Sequence, residues 1–291
     1  MPELPEVETI RVGLQRLLPG RTFRAASSDT PKSFPNSPAD VERFLVGAAV
    51  VEVRRRAKVL LIELSSKYSL VIHLKMTGQL VFQGQGVHFG AGHPNDSLIH
   101  ELPDKSTRVI FDFKDGSKLF FNDQRKFGWV RLMPIAEIPQ LDFFKKIGPE
   151  PLGADFTWDV LKERLARRKN TSIKAAILDQ SVVAGIGNIY ADESLWGAKI
   201  HSATRVANLT DKNIRDLYNS MQEILQIAIA KGGSTDHTYV DAEGNKGSYL
   251  DFARVFRREG QACPRCGTII EKIRVAGRGT HICPHCQKIN D

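Results

Sequence analysis

The sequence predicts an α+β protein in which a β-sandwich with an N-terminal helix precedes a helical domain and a small metal module. Residues 21–133 contain many short apolar runs separated by turn formers, residues 154–256 change to helical periodicity, and all four cysteines lie near the C-terminus. We therefore expect an N-terminal domain over 1–147, a linker over 148–153, a helical domain over 154–256 and a cysteine module over 257–291.

The chain opens with Met1-Pro-Glu-Leu-Pro-Glu-Val-Glu-Thr-Ile10, a segment with the composition of a helix N-terminus. Proline suits the first turn, and Glu6 and Glu8 favour the positive end of the helix dipole. Apolar residues then recur at helical spacing until Gly20. These residues are Val7, Ile10, Leu14, Leu17 and Leu18. Helix formation alone is enough to explain this pattern.

The same segment also carries groups suited to covalent catalysis. Proline at position 2 is small enough that the cell should remove Met1, which leaves a secondary amine as the mature N-terminus. An α-amino group titrates near pH ~8 and a lysine amine near ~10.4, so the Pro2 amine is partly uncharged at neutral pH. Its attack on an aldehyde-like carbon gives an electron-withdrawing iminium. Glu3 and Glu6 lie within one turn and are suited to proton transfer.

The strands of the predicted sandwich follow this helix. Their apolar runs cover residues 50–53, 59–64, 70–74, 79–82, 107–113, 118–121 and 129–132. One short helix is predicted over 39–45. Residues 84–106 hold four glycines and two prolines with little periodicity, which predicts a mobile surface loop.

Beyond the linker Gly148-Pro-Glu-Pro-Leu-Gly153 the periodicity is helical. Helices are predicted over 158–168, 172–179, 189–200 and 211–231. Thr210 is a suitable N-cap for the last of them. A polar, glycine-bearing stretch then follows over 232–249.

Four cysteines form two closely spaced pairs separated by sixteen residues: Cys263 and Cys266, then Cys283 and Cys286. Four thiolates in this arrangement can close a tetrahedral shell around one zinc ion. Two disulfides are the alternative, but the chain shows no secretory signal. Because no cysteine is left over, we expect a structural zinc and no catalytic metal.

Size and charge restrict the class of protein. The chain has 291 residues, 42% of them hydrophobic and 25% charged, as in an ordinary globular protein. A net charge of +8 suits a polyanionic partner. No apolar run approaches the ~18 residues of a membrane span, and no signal peptide is evident, so we expect a cytoplasmic protein.

Two groups in the C-terminal half are placed to bind an anion. Asn188 stands where a glycine-bearing turn, residues 180–187, enters a helix, and the helix N-terminus there favours phosphate. A simple N-cap role for Asn188 is the alternative. Between the cysteine pairs, residues 272–281 predict a β-hairpin with Arg278 at its tip, where arginine can bind phosphate bidentately or remain solvated.

Basic and apolar residues also occur beside predicted turns in the N-terminal half. Lys58 follows three arginines and begins a strand, which is usually the place of a solvated edge charge. The segments 73–78 and 122–128 contain four further candidates for nucleic-acid contact: His73, Met76, Arg125 and Phe127. Apolar and guanidinium side chains beside turns can wedge into a duplex and replace an extruded base. Met76 and Phe127 could equally be core residues.

These pieces in this order resemble the bacterial formamidopyrimidine-DNA glycosylases (the Fpg family, the 8-oxoguanine DNA glycosylases). The resemblance covers essentially the whole chain. It is carried by Pro2-Glu3-Leu4-Pro5-Glu6, by Gly185-Ile-Gly-Asn-Ile-Tyr190 and by the end of the cysteine module, Gly277-Arg-Gly-Thr280. It implies a bifunctional glycosylase and abasic-site lyase that removes oxidised purines (8-oxoguanine and formamidopyrimidines) from damaged double-stranded DNA. It further implies a helix-two-turn-helix domain, a monomer, DNA held between the two domains, and no organic cofactor.

The resemblance also implies roles for the N-terminal candidates. Pro2 displaces the damaged base at C1′ and holds the sugar as a Schiff base. Glu3 is the acid–base residue at the sugar, and Glu6 supports it. Lys58 matches the proton donor in β-elimination and a phosphate contact, and His73 is a further DNA-binding candidate.

The remaining roles concern the extruded nucleotide and the gap it leaves. Asn188 and Arg278 match the pair that pinches the backbone, and Arg278 matches the residue credited with δ-elimination. The family's gap-filling triad is matched by Met76, Arg125 and Phe127, with Arg125 expected to face the orphaned cytosine. Lys169 matches a DNA-contacting lysine, and residues 232–249 correspond to a loop over the damaged base.

Three departures from the family pattern stand out. Ser106 replaces a histidine that the family often has before the strand, and Phe256 replaces a common tyrosine whose hydroxyl could bind phosphate. The segment 84–106 is longer than in shorter members. None of these departures touches Pro2, Glu3 or Lys58.

Two other functions fit parts of the sequence. The sister family of endonuclease VIII uses the same proline but prefers oxidised pyrimidines; Leu4 and the complete set of Met76, Arg125 and Phe127 favour the Fpg family. A non-catalytic zinc protein that only binds DNA would leave Pro2 unexplained.

Overall fold

The computed structural model describes residues 1–93, 95–233 and 249–289, which divide into two compact units. The first contains residues 1–145 and 231–233, and the second contains 146–230 and 249–289. Most of the predicted loop over 232–249 lies outside the described residues. Within them, no helix combines the length and the apolar character needed to cross a membrane.

The first helix, α1 (Leu4–Leu17), is fixed at its N-terminus by reciprocal capping. Glu3 is the N-cap residue, and its backbone N–H donates to the Glu6 carboxylate at 2.7 Å. The predicted apolar face of α1 is buried in the core of the first unit. Capping and burial together hold the N-terminus of the chain at a defined place.

Two antiparallel sheets form the β-sandwich of the first unit. One has the order β1-β7-β8-β5-β6 and the other the order β2-β3-β4-β9. The strands are β1 (Phe23–Ser27), β2 (Val50–Arg56), β3 (Val59–Leu64), β4 (Tyr68–His73), β5 (Gly78–Gly84), β6 (Val87–Gly92), β7 (Thr107–Phe113), β8 (Lys118–Asp123) and β9 (Trp129–Pro134). Side chains from both sheets and from α1 share one hydrophobic core, so the predicted sandwich is confirmed.

Short helices complete the first unit. The helix expected over 39–45 is α2 (Pro38–Asp40) continued by a π-helical turn (Val41–Leu45). Two 3-10 turns (Asp96–Leu98 and Ile135–Gln140) and α3 (Asp142–Lys146) lie beside the sheets.

The prediction of a loop over 84–106 is wrong for residues 87–92, which form β6 and pair with β5. The glycines there serve close packing: a Cβ on Gly90 would lie 2.9 Å from the Leu98 carbonyl oxygen, and one on Gly92 would lie 2.5 Å from that of Gly78. Sequence patterns do not distinguish such glycines from those of a flexible loop. Strand β1 was also not predicted.

The second unit is helical, as predicted. Its helices are α4 (Trp158–Ala166), α5 (Ile173–Leu178), α6 (Asn188–Gly197) and α7 (Asp211–Ala230), with 3-10 turns at Val206–Asn208 and Tyr249–Phe252. Thr210 caps α7 by accepting a hydrogen bond from the Asn213 N–H at 3.2 Å. Their apolar faces meet in one core that includes Leu161, Ile177 and Leu217.

The predicted hairpin near the C-terminus is confirmed. Strands β10 (Glu271–Val275) and β11 (Arg278–Ile282) pair antiparallel, with Val275 opposite Arg278. The two residues between them, Ala276 and Gly277, both have positive φ, as a tight hairpin turn requires.

Candidate functional site

The N-terminus of α1 gathers the groups suited to covalent catalysis. Pro2 is buried, and Glu3 and Glu6 are only 3% and 4% exposed. The hydrogen bond from the Glu3 N–H fixes the Glu6 carboxylate over the first turn. The helix-start interpretation is therefore correct, and the same capping places two buried carboxylates beside Pro2.

Lys58 lies in the two-residue turn between β2 and β3, since Arg56 pairs with Val59 across the hairpin. Its side chain is 6% exposed, so the alternative of a solvated edge charge is wrong. The neighbouring Ala57 takes a left-handed conformation with φ of 53°. This turn therefore directs Lys58 into the protein and not into solvent.

Arg55 connects this turn to α1. Its Nε donates to the Glu8 carboxylate at 2.8 Å, and its Nη1 donates to the Ala57 carbonyl oxygen at 3.0 Å. Because Glu8 belongs to α1, the turn that bears Lys58 is held against the helix whose first turn bears Glu3 and Glu6. The structure therefore brings three of the predicted catalytic residues onto two adjoining elements.

His73 lies on β4 directly opposite Val59, next to Lys58. Burial, together with the positive charges of Lys75 and Lys58, lowers the pKa of His73 to about 3. The Lys75 N–H donates to His73 Nδ1 at 3.0 Å, so the neutral ring carries its proton on Nε2. His73 can thus donate a hydrogen bond but brings no charge near neutral pH.

Met76, Arg125 and Phe127 project from two loops at one end of the five-stranded sheet. Met76 is 40% exposed and Phe127 46% exposed, so the alternative of core residues is wrong. The Arg125 guanidinium carbon lies 5.0 Å from the centre of the Phe127 ring. Two large apolar groups and one cation therefore stand together on the surface.

In the second unit, Asn188 and Arg278 are brought together. The N-cap of α6 is Gly187, and Asn188 is the first helical residue, so the N-cap alternative is wrong. The Asn188 Nδ2 donates to the Gly279 carbonyl oxygen at 3.0 Å, next to the exposed Arg278. The Asn188 Oδ1 is buried and accepts no hydrogen bond from any described residue.

A buried ionic network fixes the hairpin that bears Arg278. Lys174 on α5 donates from Nζ to Asp192 on α6 at 2.6 Å and to the Thr280 hydroxyl at 2.7 Å. The same amine donates to the Gly279 carbonyl oxygen at 3.2 Å. Asp192 also accepts from the His281 backbone N–H at 2.9 Å. The hairpin is thereby attached to both helices of the turn motif.

Lys169 lies in the turn after α4, with an exposed side chain. Its carbonyl oxygen accepts from the Ala207 N–H at 3.0 Å, which holds the turn in place. Lys169 and the Asn188–Arg278 pair belong to one unit, whereas Pro2, Glu3 and Lys58 belong to the other.

The cysteine thiols form a cluster of the size that a metal ion needs. The four Sγ atoms all lie within 4.8 Å of one another: those of Cys263, Cys266, Cys283 and Cys286. The sulfurs of Cys266 and Cys283 are 3.4 Å apart, which excludes a disulfide between them and fits two ligands of one tetrahedral zinc. The residues therefore fit a single structural zinc ion.

Two departures from the expected pattern have structural explanations. Ser106 is buried, and its hydroxyl donates to the Asp104 carboxylate at 2.7 Å, so it stabilises the chain before β7. The Phe256 ring packs edge-on against His281, with ring centres 5.0 Å apart. Both side chains are engaged within the protein.

Sequence patterns did not identify three buried charged residues that support the candidate site. Lys174 and Asp192 hold the hairpin that bears Arg278, and Asp123 holds the loop that bears Arg125 and Phe127. Asp123 is fully buried at the end of β8 and binds the loop that bears Arg125 and Phe127. For Asp123, the available sequence signal was a charged residue directly after an apolar run. An exposed turn residue after a strand gives the same pattern. Only burial separates the two cases.

Family models match almost the whole chain. Residues 1–130 match the formamidopyrimidine-DNA glycosylase N-terminal domain, residues 147–240 match the formamidopyrimidine-DNA glycosylase H2TH domain, and residues 260–289 match a zinc finger found in FPG and IleRS. A formamidopyrimidine-DNA glycosylase of Pediococcus pentosaceus is 42% identical over 287 residues, covering 99% of each chain. That of Pelotomaculum thermopropionicum is 40% identical over 292 residues, covering 99% of this chain and all of the relative.

Solved structures agree with these matches. A Lactococcus lactis FPG mutant in complex with Fapy-dG-containing DNA has a TM-score of 0.86 at 36% identity, covering 99% of this chain and 100% of that one. The MutM (Fpg) protein of Thermus thermophilus has a TM-score of 0.84 at 34% identity, covering all of both chains. A MutM in complex with DNA containing carbocyclic 8-oxo-G has a TM-score of 0.85 at 35% identity, covering 99% and 100%.

Proposed function

The chain belongs to the formamidopyrimidine-DNA glycosylase family, and from this premise we propose that it is a base-excision repair enzyme. It removes oxidised purines, namely 8-oxoguanine and formamidopyrimidines, from damaged double-stranded DNA and then cleaves the strand at the abasic site. The observation that carries the proposal is the buried cluster at the N-terminus, where Glu3 and Glu6 lie within one turn of the buried Pro2. A protein that only binds DNA has no use for two desolvated carboxylates there.

Extrusion of the damaged nucleotide comes first, because a base stacked inside a duplex cannot be attacked. Extrusion costs a few kcal/mol of stacking and pairing, which groups that fill the gap offset. Met76 and Phe127 are exposed and apolar, as such a wedge requires, and Arg125 can donate to the orphaned cytosine. Asn188 and Arg278 hold the displaced backbone through its phosphates.

Base removal then uses the Pro2 amine. After Met1 is removed, the amine nitrogen forms a bond to C1′, the glycosidic electron pair leaves with the base, and the opened sugar is held as an iminium. Glu3 is positioned to transfer protons at the sugar, since it begins the helix directly after Pro2. Glu6 is held by the Glu3 N–H and supports this geometry.

Strand cleavage follows from the iminium. Its positive nitrogen acidifies the C2′ proton, and loss of that proton expels the 3′ phosphate by β-elimination. Lys58, buried in its turn beside α1, serves as the proton donor and contacts phosphate. Arg278 assists the second, δ-elimination, which releases the 5′ phosphate. None of these steps requires a redox cofactor.

One zinc ion supports the DNA-binding hairpin. The four clustered thiolates would hold it: Cys263, Cys266, Cys283 and Cys286. Zinc in such a site supplies folding free energy and no chemistry. Bound by these four thiolates, it would fix the base of the hairpin whose tip carries Arg278.

Further contacts with DNA are electrostatic or hydrogen-bonding. The exposed Lys169 contacts phosphate, and neutral His73 donates from Nε2. The net charge of +8 favours association with DNA generally. We further propose that the protein acts as a monomer. We also propose that it acts in the bacterial cytoplasm at the nucleoid, because its substrate is chromosomal DNA.

Substrate class distinguishes this function from that of the sister family of endonuclease VIII. The test compares excision of 8-oxoguanine opposite cytosine with excision of thymine glycol opposite adenine in duplexes of otherwise identical sequence. The proposal predicts faster release of 8-oxoguanine in single-turnover assays. Faster release of thymine glycol would contradict it.

A further inference from the structure

We propose that Asp123 is a positioning residue that joins the two loops of the gap-filling triad, so that Met76, Arg125 and Phe127 enter the duplex as one rigid wedge. The inference rests on the proposed function, because it concerns how the wedge is built. Asp123 itself is fully buried and lies beneath the residues that would touch DNA.

The Asp123 carboxylate accepts four hydrogen bonds from the two loops. Its Oδ2 accepts from the Phe127 N–H at 2.8 Å and from the Gly128 N–H at 2.6 Å. Its Oδ1 accepts from the Arg125 N–H at 3.2 Å and from the Thr77 hydroxyl. Three backbone donors of one loop and one side-chain donor of the other therefore converge on a single carboxylate.

Thr77 brings the Met76 turn into this arrangement. Its hydroxyl oxygen also accepts from the Arg125 N–H at 3.1 Å, so it bridges the loops a second time. The next residue, Gly78, pairs with Asp123 across strands β5 and β8. Met76 is thus one residue from a side chain bonded to the loop of Arg125 and Phe127.

The backbone of Asp123 is itself fixed by hydrogen bonds to Arg108 of the neighbouring strand β7 and to Ser106, which precedes that strand. Its backbone N–H donates to the Ser106 carbonyl oxygen at 2.8 Å, and its carbonyl oxygen accepts from Arg108 Nε at 2.7 Å. The Arg108 guanidinium also donates to the Lys105 carbonyl oxygen at 2.9 Å. The carboxylate is therefore fixed before the wedge meets DNA.

The loop needs this support because its own backbone is irregular. Lys126 adopts a left-handed conformation with φ of 56°, and the side chains on either side of it are exposed. Separated bases gain a few kcal/mol when they stack again, and this free energy favours expulsion of the wedge. The wedge must therefore be stiff enough to keep its shape between them. Hydrogen bonds to a buried charge supply that stiffness in advance.

The test compares Asp123→Asn with Asp112→Asn in the zinc-loaded, Met1-processed full chain. Asp112 lies on the neighbouring strand, where its carboxylate pairs with Lys118 at 3.1 Å, at the opposite end of β8 from Asp123. Each variant is given a duplex with 8-oxoguanine opposite cytosine and a single strand with a preformed abasic site. The single strand has no stack to open and no gap to fill.

We expect Asp123→Asn to lower kcat/KM on the duplex about tenfold or more, since it weakens several charge-assisted bonds, while single-strand cleavage stays within about twofold of wild type. Asp112→Asn should match the wild type on both substrates. Discrimination between cytosine and adenine opposite the lesion should also fall in Asp123→Asn. An unchanged duplex rate, or an equal loss on both substrates, would overturn the inference.

Thr77→Val provides a second variant in case Asp123→Asn folds poorly. It preserves shape and leaves the three backbone donors to Asp123, but it removes both bonds of the Thr77 hydroxyl, the one to Asp123 and the one from the Arg125 N–H. A selective fall in the duplex rate of about threefold to tenfold is expected, because the Arg125 N–H keeps its bond to Asp123 and the net loss is about that of one hydrogen bond, ~1 kcal/mol. Equal activity of Thr77→Val and wild type on the duplex would contradict coupling of the loops. A wild-type protein inactive on both substrates would instead contradict the proposed function.

Discussion

Lys174 and Asp192 form an ion pair at 2.6 Å in which both side chains are completely buried. The pair lies beneath the Arg278 hairpin, because the Lys174 amine also bonds to Thr280 and Gly279. Asn188, at the start of the same helix as Asp192, donates to the same Gly279 carbonyl oxygen. The two residues proposed to grip the DNA backbone are thus held by one network.

Asp192→Asn should destabilise the second unit strongly. Removing one partner leaves the Lys174 charge buried without compensation, which typically costs about 3–5 kcal/mol. Asp216→Asn is the control, because the Lys212–Asp216 pair is exposed and such pairs contribute below about 1 kcal/mol. Urea unfolding followed by circular dichroism measures both. Equal effects of the two substitutions would show that the buried pair has no special role.

Acid should destabilise the protein partly through His73. Its folded-state pKa of about 3 lies below the unfolded value of ~6.5, so between these pH values only the unfolded chain binds the proton. Stability from this group is therefore complete above pH ~6.5 and is lost as the pH falls towards 3. By pH 5 the loss is about 2 kcal/mol. In His73→Gln the decrease in unfolding free energy from pH 7.5 to 5 should be smaller by this amount. An identical decrease in the two proteins would count against a buried, neutral His73.

Arg55→Leu should slow the chemistry without preventing DNA binding. The substitution removes the Arg55 bond to Glu8 of α1 and its bond to Ala57 in the Lys58 turn, so we expect abasic-site cleavage to slow about tenfold, as for a displaced catalytic group. Arg54→Leu is the matched control: Arg54 is the preceding residue, and its guanidinium is 56% exposed and pairs with Glu63. Similar rates for the two variants, at equal affinity for abasic DNA, would contradict the positioning of Lys58 by Arg55.

Zinc removal should loosen the hairpin and be visible in the fluorescence of Trp196, which packs against Cys263 and Cys283. A chelator in mild denaturant should release one zinc ion per chain and shift the Trp196 emission to longer wavelength. Trp196→Phe should lose the fluorescence change while still releasing zinc. A stoichiometry other than one, or no spectral change in the wild type, would contradict a single structural site.

The sequence was sufficient where one pattern dominates. Periodicity and turn residues predict seven of the nine sandwich strands that the structure describes, helices α4 to α7 of the second unit and the cysteine hairpin. Strand β6 was not predicted because its glycines, which pack against backbone atoms, give the segment the composition of a loop. The exposure of Phe127 could not be read from the sequence either, since it depends on how two distant segments meet around Asp123.

Candidate catalytic and metal-binding residues were also easier to predict from the sequence than the residues that position them. Pro2, Glu3 and the cysteines are recognisable by residue type and spacing. Arg55, Lys174 and Asp123 act through partners far along the chain, and no local pattern records those contacts. Three-dimensional packing alone identifies them.

Borohydride trapping on a duplex with one 8-oxoguanine opposite cytosine tests whether the Pro2 amine is the nucleophile. Wild type, Pro2→Gly and a form purified with Met1 retained are compared, and any adduct is mapped by mass spectrometry. We expect a covalent adduct on the N-terminal peptide of the wild type and none when Met1 is retained, because the Pro2 nitrogen is then an amide. An adduct that persists with Met1 in place, or no wild-type adduct despite intact DNA binding, would contradict the Pro2 amine as nucleophile.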